Sequence, residues 1–221
     1  MSGYFHHERH EILPILPKAA TSILEIGAAS GKTLRWLKTI YPGAVTTGVE
    51  INEAMAAELS ENADVAIIGN ISECRSRLKK YDLVLLLDVL EHLLDPVDVL
   101  QNVRQLLEPG GHVVVSVPNI AHLSVTIPLL LQRRFTYQDS GILDRTHLRF
   151  FVEATAVDLL NAANFRVSKG LISGLQGHRA KLLYHLSFGL LRHHLAKQYV
   201  MLGEPMDDEF RQPTVEWMDA K

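Results

Sequence analysis

The stretch LEIGAASGKT at 24–33 ends in the letters of a phosphate-binding loop, and LVLLLD at 83–88 could be the aspartate-bearing strand that serves one. A Walker loop needs glycine, four residues and then Gly-Lys-Ser/Thr, a length that curls backbone N–H groups around phosphate oxygens. Here Ile26 stands where the first glycine should be, and counting from Gly27 leaves the loop one residue short. Glu25 would also place a carboxylate beside the anion. The dinucleotide fingerprint G-x-G-x-x-G fails too, since Ala29 and Lys32 occupy its second and third glycine positions. What fits is E-x-G-x-x-x-G, from Glu25 through Gly27 to Gly31, closing one strand, with Glu50 ending the next. A carboxylate about 20 residues past such a loop can accept both hydroxyls of a ribose.

The elements that must position these residues alternate along the chain. SILEIG, AVTTGVE, DVAIIGN, YDLVLLLDV and GHVVVSVPN read as strands. Between them KTLRWLKTI, NEAMAAELSENA and DPVDVLQNVRQLLEPGG read as helices, the last with Asp95 as cap, Pro96 at its first position and Gly110–Gly111 past its end. Near-continuous apolar strands separated by helices predict an α/β, doubly wound sheet covered on both faces. Ligands of such sheets sit beyond the C-terminal strand ends. Residues 4–20 read as a short amphipathic helix stopped by Pro14 and Pro17.

Together these residues resemble the class I S-adenosylmethionine-dependent methyltransferases. The family's acidic-x-Gly-x-Gly-x-Gly motif is matched by Glu25, Gly27 and Gly31, with Ala28 in the loop and Ala29 where the middle glycine usually stands. A methyl group is tolerated there if the backbone φ is negative. The resemblance implies a Rossmann-like sheet of seven mostly parallel strands in order 3-2-1-4-5-7-6, with an antiparallel last strand. It also implies S-adenosyl-L-methionine as cofactor, which carries no phosphate. Glu25 would then face its ammonium, the helix after Gly31 its carboxylate, Glu50 and Ile51 its ribose and adenine, and Asn70 and Ile71 its adenine. Asp88, Val89 and His92, in DVLEHL, would border the methyl-donor pocket.

Past the fifth strand, the insert 120–150 also resembles a bacterial subgroup of these enzymes linked to glycan and cell-surface polysaccharide modification, with a PN-x-x-H turn and a DRTHLRFF turn. It implies a small-molecule or glycan acceptor. Methyl transfer to an alcohol is a displacement at carbon in which the hydroxyl proton must leave, and an imidazole supplies a base near neutrality. His147 is the first candidate and His122 the second, with Asp144 to orient either; a structural histidine bonded to backbone is the competing reading of each. Asp144, His147 and His122 are too weakly spaced for a metal site, and none is expected. Arg145 and Arg149 could grip an acidic acceptor or pair with surface carboxylates. Tyr4 and Arg9 are second-tier cofactor contacts. An NAD-dependent oxidoreductase and a non-catalytic cofactor-binding partner of another enzyme are the rival functions.

The bulk numbers agree with one enzyme-sized unit: 221 residues, net charge −3 and 47% hydrophobic, with no basic surplus for nucleic acid. A methyltransferase domain is expected over 1–203 and an acidic, poorly ordered tail over 204–221. The single Cys74 cannot form an internal disulfide, and no apolar run approaches the roughly 20 residues of a spanning helix, so cytoplasmic residence is expected. Residues 178–196 carry a leucine stripe that could pack on the sheet, join a second subunit in a homodimer, or rest on a membrane surface.

Overall fold

The computed structural model describes residues 8–175, 178–206, 215 and 217–220. Its sheet is built on β1 (Ser22–Ile26) and β4 (Tyr81–Leu87), paired in parallel so that Glu25 lies beside Leu85. Outward on one side run β2 (Val45–Glu50) and β3 (Val65–Ile68), and on the other β5 (Leu107–Pro118), β7 (Gln198–Pro205) and β6 (Phe165–Ser173). The order is 3-2-1-4-5-7-6-8, with β7 antiparallel to both neighbours. The doubly wound reading and its strand order therefore hold.

Alternation along β4 explains the two layers. Val84 and Leu86 pack with α4 (Pro96–Gln105) and α6 (Glu153–Ala162), while Leu83, Leu85 and Leu87 pack with α1 (Lys32–Ile40) and the N-terminal segment. Both faces are thus dry, as the apolar strand composition requires. Asp95 caps α4 by accepting from the Asp98 N–H, and Pro96 opens it, where its missing donor costs nothing. The remaining helices are α2 (Ala56–Asn62), α3 (Ile71–Cys74), α5 (Leu123–Gln132), α7 (His178–Leu186) and α8 (Arg192–Leu195).

Four expectations are corrected. An eighth strand, β8 (Trp217–Asp219), pairs in parallel with β6, so the sheet is not seven-stranded and this part of the 204–221 segment is ordered. The cause is Trp217: its ring lies on Gly170, where a Cβ would stand 2.5 Å from it, and it is 6% exposed. The expected N-terminal helix is, among the described residues, one 3-10 segment (His10–Ile15). Pro14 within it lacks a donor, and i→i+3 bonds such as Ile12 N–H to the Arg9 carbonyl replace the α pattern. Gly110–Gly111 do lie past the end of α4, but β5 begins at Leu107, ahead of the GHVVVSVPN stretch expected for it. Finally, only one end of the leucine stripe of 178–196 packs on the core, through Leu191 and the neighbouring Leu195, while Leu182, Leu186 and Leu190 are mostly exposed.

Candidate functional site

At the C-terminal end of β1 the chain turns through Gly27 (φ 73), Ala29 (φ 47) and Gly31 (φ 74) before entering α1. Gly27 and Ala28 donate their N–H groups to the Val49 carbonyl, tying the loop to β2. A Cβ on Gly27 would meet Val89 at 2.6 Å and one on Gly31 would meet Leu59 at 2.8 Å, so both glycines are required by space and angle. Ala29 was admissible on a negative φ; its positive φ corrects that, and the residue carries left-handed strain of about 1 kcal/mol.

Two carboxylates flank this loop. Glu50, at the end of β2, accepts from the Ala29 N–H (2.7 Å) and the Asn52 N–H (2.8 Å), which takes up half of its lone-pair sites. Glu25 is 4% exposed and its Oε2 has no hydrogen-bond partner. Burial, with Glu50 nearby and against the opposing pull of Arg9, pushes its carboxyl up to about 8. A buried acceptor without a donor fits a cationic group such as an ammonium. Asn70 caps α3 by accepting from the Ser72 N–H, with capacity for one more donor, and the adjacent Ile71 is partly buried. Ile51, 69% exposed beside Glu50, offers an apolar face to a base. Two surface cavities, near 130 and 640 Å³, contain no residue of this loop, so the donor set rather than enclosed volume marks the site.

Asp88 stands at the tip of β4 with φ 58. It neither caps a helix nor offers a free carboxylate. It accepts from Arg9 (2.9 Å), the Ser116 hydroxyl (2.6 Å) and the Gln198 amide (2.9 Å). Arg9, 8% exposed, also reaches Ser116. This network nails the N-terminal segment, β4, β5 and β7 together at one strand end. Ser116 and Gln198 carried no sequence signal, whereas Tyr4 lies outside the described residues.

The DRTHLRFF turn folds back onto the turn after β4. Leu148 and Arg149 donate their N–H groups to the Glu91 carbonyl at 2.8 and 3.1 Å. His92, expected on a helix, sits on a single 3-10 turn (Leu90–His92), and its ring lies 4.8 Å from that of His147. The His147 Nδ1 is 3.1 Å from the Ile142 carbonyl, which can only accept, so Nδ1 carries the proton and Nε2 the lone pair. That Nε2 is 4.0 Å from Glu91 Oε1. Burial lowers the His147 pKa and, with Asp88 adding, raises that of Glu91 well above the carboxylate range. Both groups are pushed toward neutrality, and 4.0 Å exceeds a hydrogen bond, so the pair is not a working salt bridge.

Asp144 does not orient His147. Its Oδ1 accepts from the Thr146 N–H and hydroxyl at 2.8 and 2.6 Å; burial alone would raise its pKa, and these bonds hold it below the usual range. Thr146 in turn contacts His92 Nδ1 through its hydroxyl (3.1 Å) and carbonyl (3.3 Å). His122 is the N-cap of α5, its Nδ1 accepting from the Ser124 N–H, and burial beside Lys197 lowers its pKa. Arg145 pairs with Asp139, and Arg149 donates to the Leu94 carbonyl, so neither is a ready anion grip. Glu91, 1% exposed inside an apolar run, is the site residue that sequence reasoning missed; its signal was a carboxylate in LVLLLDVLEHLL.

Comparisons with known proteins bear on the family and the fold. A family described as "Methyltransferase domain" matches residues 1–169. The ubiquinone biosynthesis O-methyltransferase of Shewanella pealeana is 24% identical over 148 residues, 64% of this chain and 61% of that protein. That of Serratia proteamaculans is 29% identical over 105 residues, 44% and 43% of the two chains. The chain thus spans about three fifths or less of these relatives. Among solved structures, a SAM-dependent methyltransferase from Archaeoglobus fulgidus shares the fold at TM-score 0.63 and 20% identity, covering 87% of this chain and 90% of that one. A possible histamine N-methyltransferase from Thermotoga maritima does so at TM-score 0.60 and 19% identity, covering 89% and 86%. With that match over most of its length, the chain belongs to the methyltransferase domain family.

Proposed function

We propose that the chain methylates a hydroxyl of a small-molecule acceptor, with a sugar or glycan hydroxyl as the substrate class. The observation that carries this reading is the His147 imidazole, its tautomer set by the Ile142 carbonyl and its Nε2 lone pair turned to Glu91, on a turn that folds over the end of β4. S-adenosylmethionine, held by Glu25, Glu50 and the Gly27–Gly31 loop, would supply the methyl group: the acceptor oxygen would attack its methyl carbon as the carbon–sulfur bond breaks. Its electron pair goes to sulfur, leaving the thioether, and the acceptor proton passes to His147 Nε2. Most of the rate comes from aligning the two reactants. The O-methyltransferase names of the curated relatives support an oxygen acceptor, and the DRTHLRFF resemblance supports the glycan class. The family match speaks against the oxidoreductase reading.

Labelled donor incubated with fractionated bacterial extract, followed by mass spectrometry of the labelled species, tests this. A methylated hydroxyl compound is expected; a labelled amine or carboxylate overturns the oxygen assignment, and no labelled species at all supports a non-catalytic role. His147→Ala should leave donor binding within a few-fold and slow transfer. The exposed Leu186, Phe188 (94% exposed) and Leu190 support contact with a lipid surface carrying the acceptor, and no described helix is long and apolar enough to cross a membrane. Sedimentation with phospholipid vesicles checks that contact; a homodimer in solution is the competing result.

A further inference from the structure

We infer that Glu91, His92 and His147 form a site for a divalent transition-metal cation of the zinc class, placed to hold the acceptor oxygen. The inference rests on the methyl-transfer reading above. One ligand atom from each of the three residues lies within 4.8 Å of the others. Two imidazoles and one carboxylate suit zinc or a neighbouring metal, with coordination positions left for a substrate oxygen.

Three further observations point to a cation. The first is Glu91 Oε2, buried in a residue 1% exposed and without a hydrogen-bond partner. A buried carboxylate left so costs stability unless something positive repays it. The second is the arrangement behind the histidines. Metal-binding imidazoles characteristically engage a backbone carbonyl, carboxylate or hydroxyl through the nitrogen that does not bind. His147 Nδ1 has the Ile142 carbonyl, and His92 Nδ1 has Thr146, which Asp144 holds from behind. Both Nε2 atoms are thereby left as the coordinating nitrogens. The third is the anchoring of Glu91: Leu148 and Arg149 bind its main-chain carbonyl, so the turn that supplies His147 also fixes the carboxylate.

The geometry sets a requirement. Tetrahedral bonds of about 2.0–2.1 Å put ligand atoms about 3.3 Å apart. His147 Nε2 and Glu91 Oε1, at 4.0 Å, must therefore close by less than 1 Å, within reach of side-chain rotation. With the ion in place, the acceptor oxygen would bind it and lose its proton to solvent; this would replace the His147 base of the metal-free reading above, because a coordinated Nε2 has no lone pair left for that proton.

The test uses the full chain, stripped with a chelator and titrated with Co²⁺ alone, then with Zn²⁺ as competitor. One Co²⁺ per chain is expected, with visible absorption bands of tetrahedral or five-coordinate nitrogen–oxygen ligation that Zn²⁺ abolishes. Glu91→Gln and His147→Asn should each weaken binding at least tenfold, and Thr146→Val, which removes the hydroxyl between His92 and Asp144, about tenfold. Calorimetry of the same samples with S-adenosylhomocysteine reports the donor site separately and shows that each variant is folded. Retained S-adenosylhomocysteine binding without stoichiometric Co²⁺, or with Co²⁺ binding indifferent to Glu91→Gln and His147→Asn, overturns the metal site and leaves methyl transfer standing. Loss of S-adenosylhomocysteine binding in the unaltered protein would instead overturn the reading beneath it.

Discussion

Glu25 should make cofactor binding expel a proton. Its carboxyl is 4% exposed, with one oxygen unpaired, and burial pushes it up to about 8. In the free protein at pH 7 about nine in ten molecules therefore carry the neutral acid. An ammonium seated against it favours the carboxylate, so binding must release close to one proton. Well below pH 8 each pH unit costs about 1.4 kcal/mol, and affinity for S-adenosylhomocysteine should weaken about fiftyfold from pH 8 to pH 6. Stability of the free protein runs the other way: the folded state holds the proton more tightly than the unfolded chain, so Glu25 lowers stability as pH rises from about 4.5 to about 8, by at most about 5 kcal/mol. Glu25→Gln should flatten both curves. The assay is calorimetry at pH 7 in two buffers of different ionisation enthalpy, with thermal melts as the check on folding. Zero proton release in the unaltered protein, or an equal pH slope in Glu25→Gln, refutes the assignment.

Other consequences follow from the same geometry. Ala29→Gly relieves a left-handed alanine and, net of the extra freedom glycine has when unfolded, should raise stability by up to about 0.5 kcal/mol; a clearly lower melting temperature contradicts the strain. Asp88→Asn keeps a residue type that tolerates φ 58 but removes the charge opposite Arg9, and denaturant melts should show a loss of about 1–3 kcal/mol. Trp217→Ala strips β8 of its anchor on Gly170 and should cost about 3 kcal/mol, read by thermal melts, with faster amide exchange at Leu171 and Ile172.

Much of this fold could be read from the alternation of short strand-like runs such as LVLLLD with helical stretches, one of which, α4, announces its start with Asp95 and Pro96. The nearness of the loop and Glu50 was legible too, since both sit at the ends of neighbouring strands and Glu50 accepts from the Ala29 N–H. Contacts made across the chain were not. Asp88 in sequence is a strand-end acid; only folding brings Arg9, Ser116 and Gln198 to it. Thr146 and Ile142 position histidines through a hydroxyl and a carbonyl, groups every turn possesses, and Asp144 acts one residue further back than its charge suggested. Trp217 was lost in an acidic context because one aromatic has no period to reveal it.

The most direct test is calorimetric titration with S-adenosylhomocysteine of the unaltered chain and of Glu50→Ala, with melting temperatures measured in parallel. One site per chain is expected. The variant should lose about 2 kcal/mol or more, at least thirtyfold in affinity, as both ribose hydroxyls lose their acceptor. Equal affinity in the two proteins, or heat from NAD or a nucleoside triphosphate where S-adenosylhomocysteine gives none, would contradict the account.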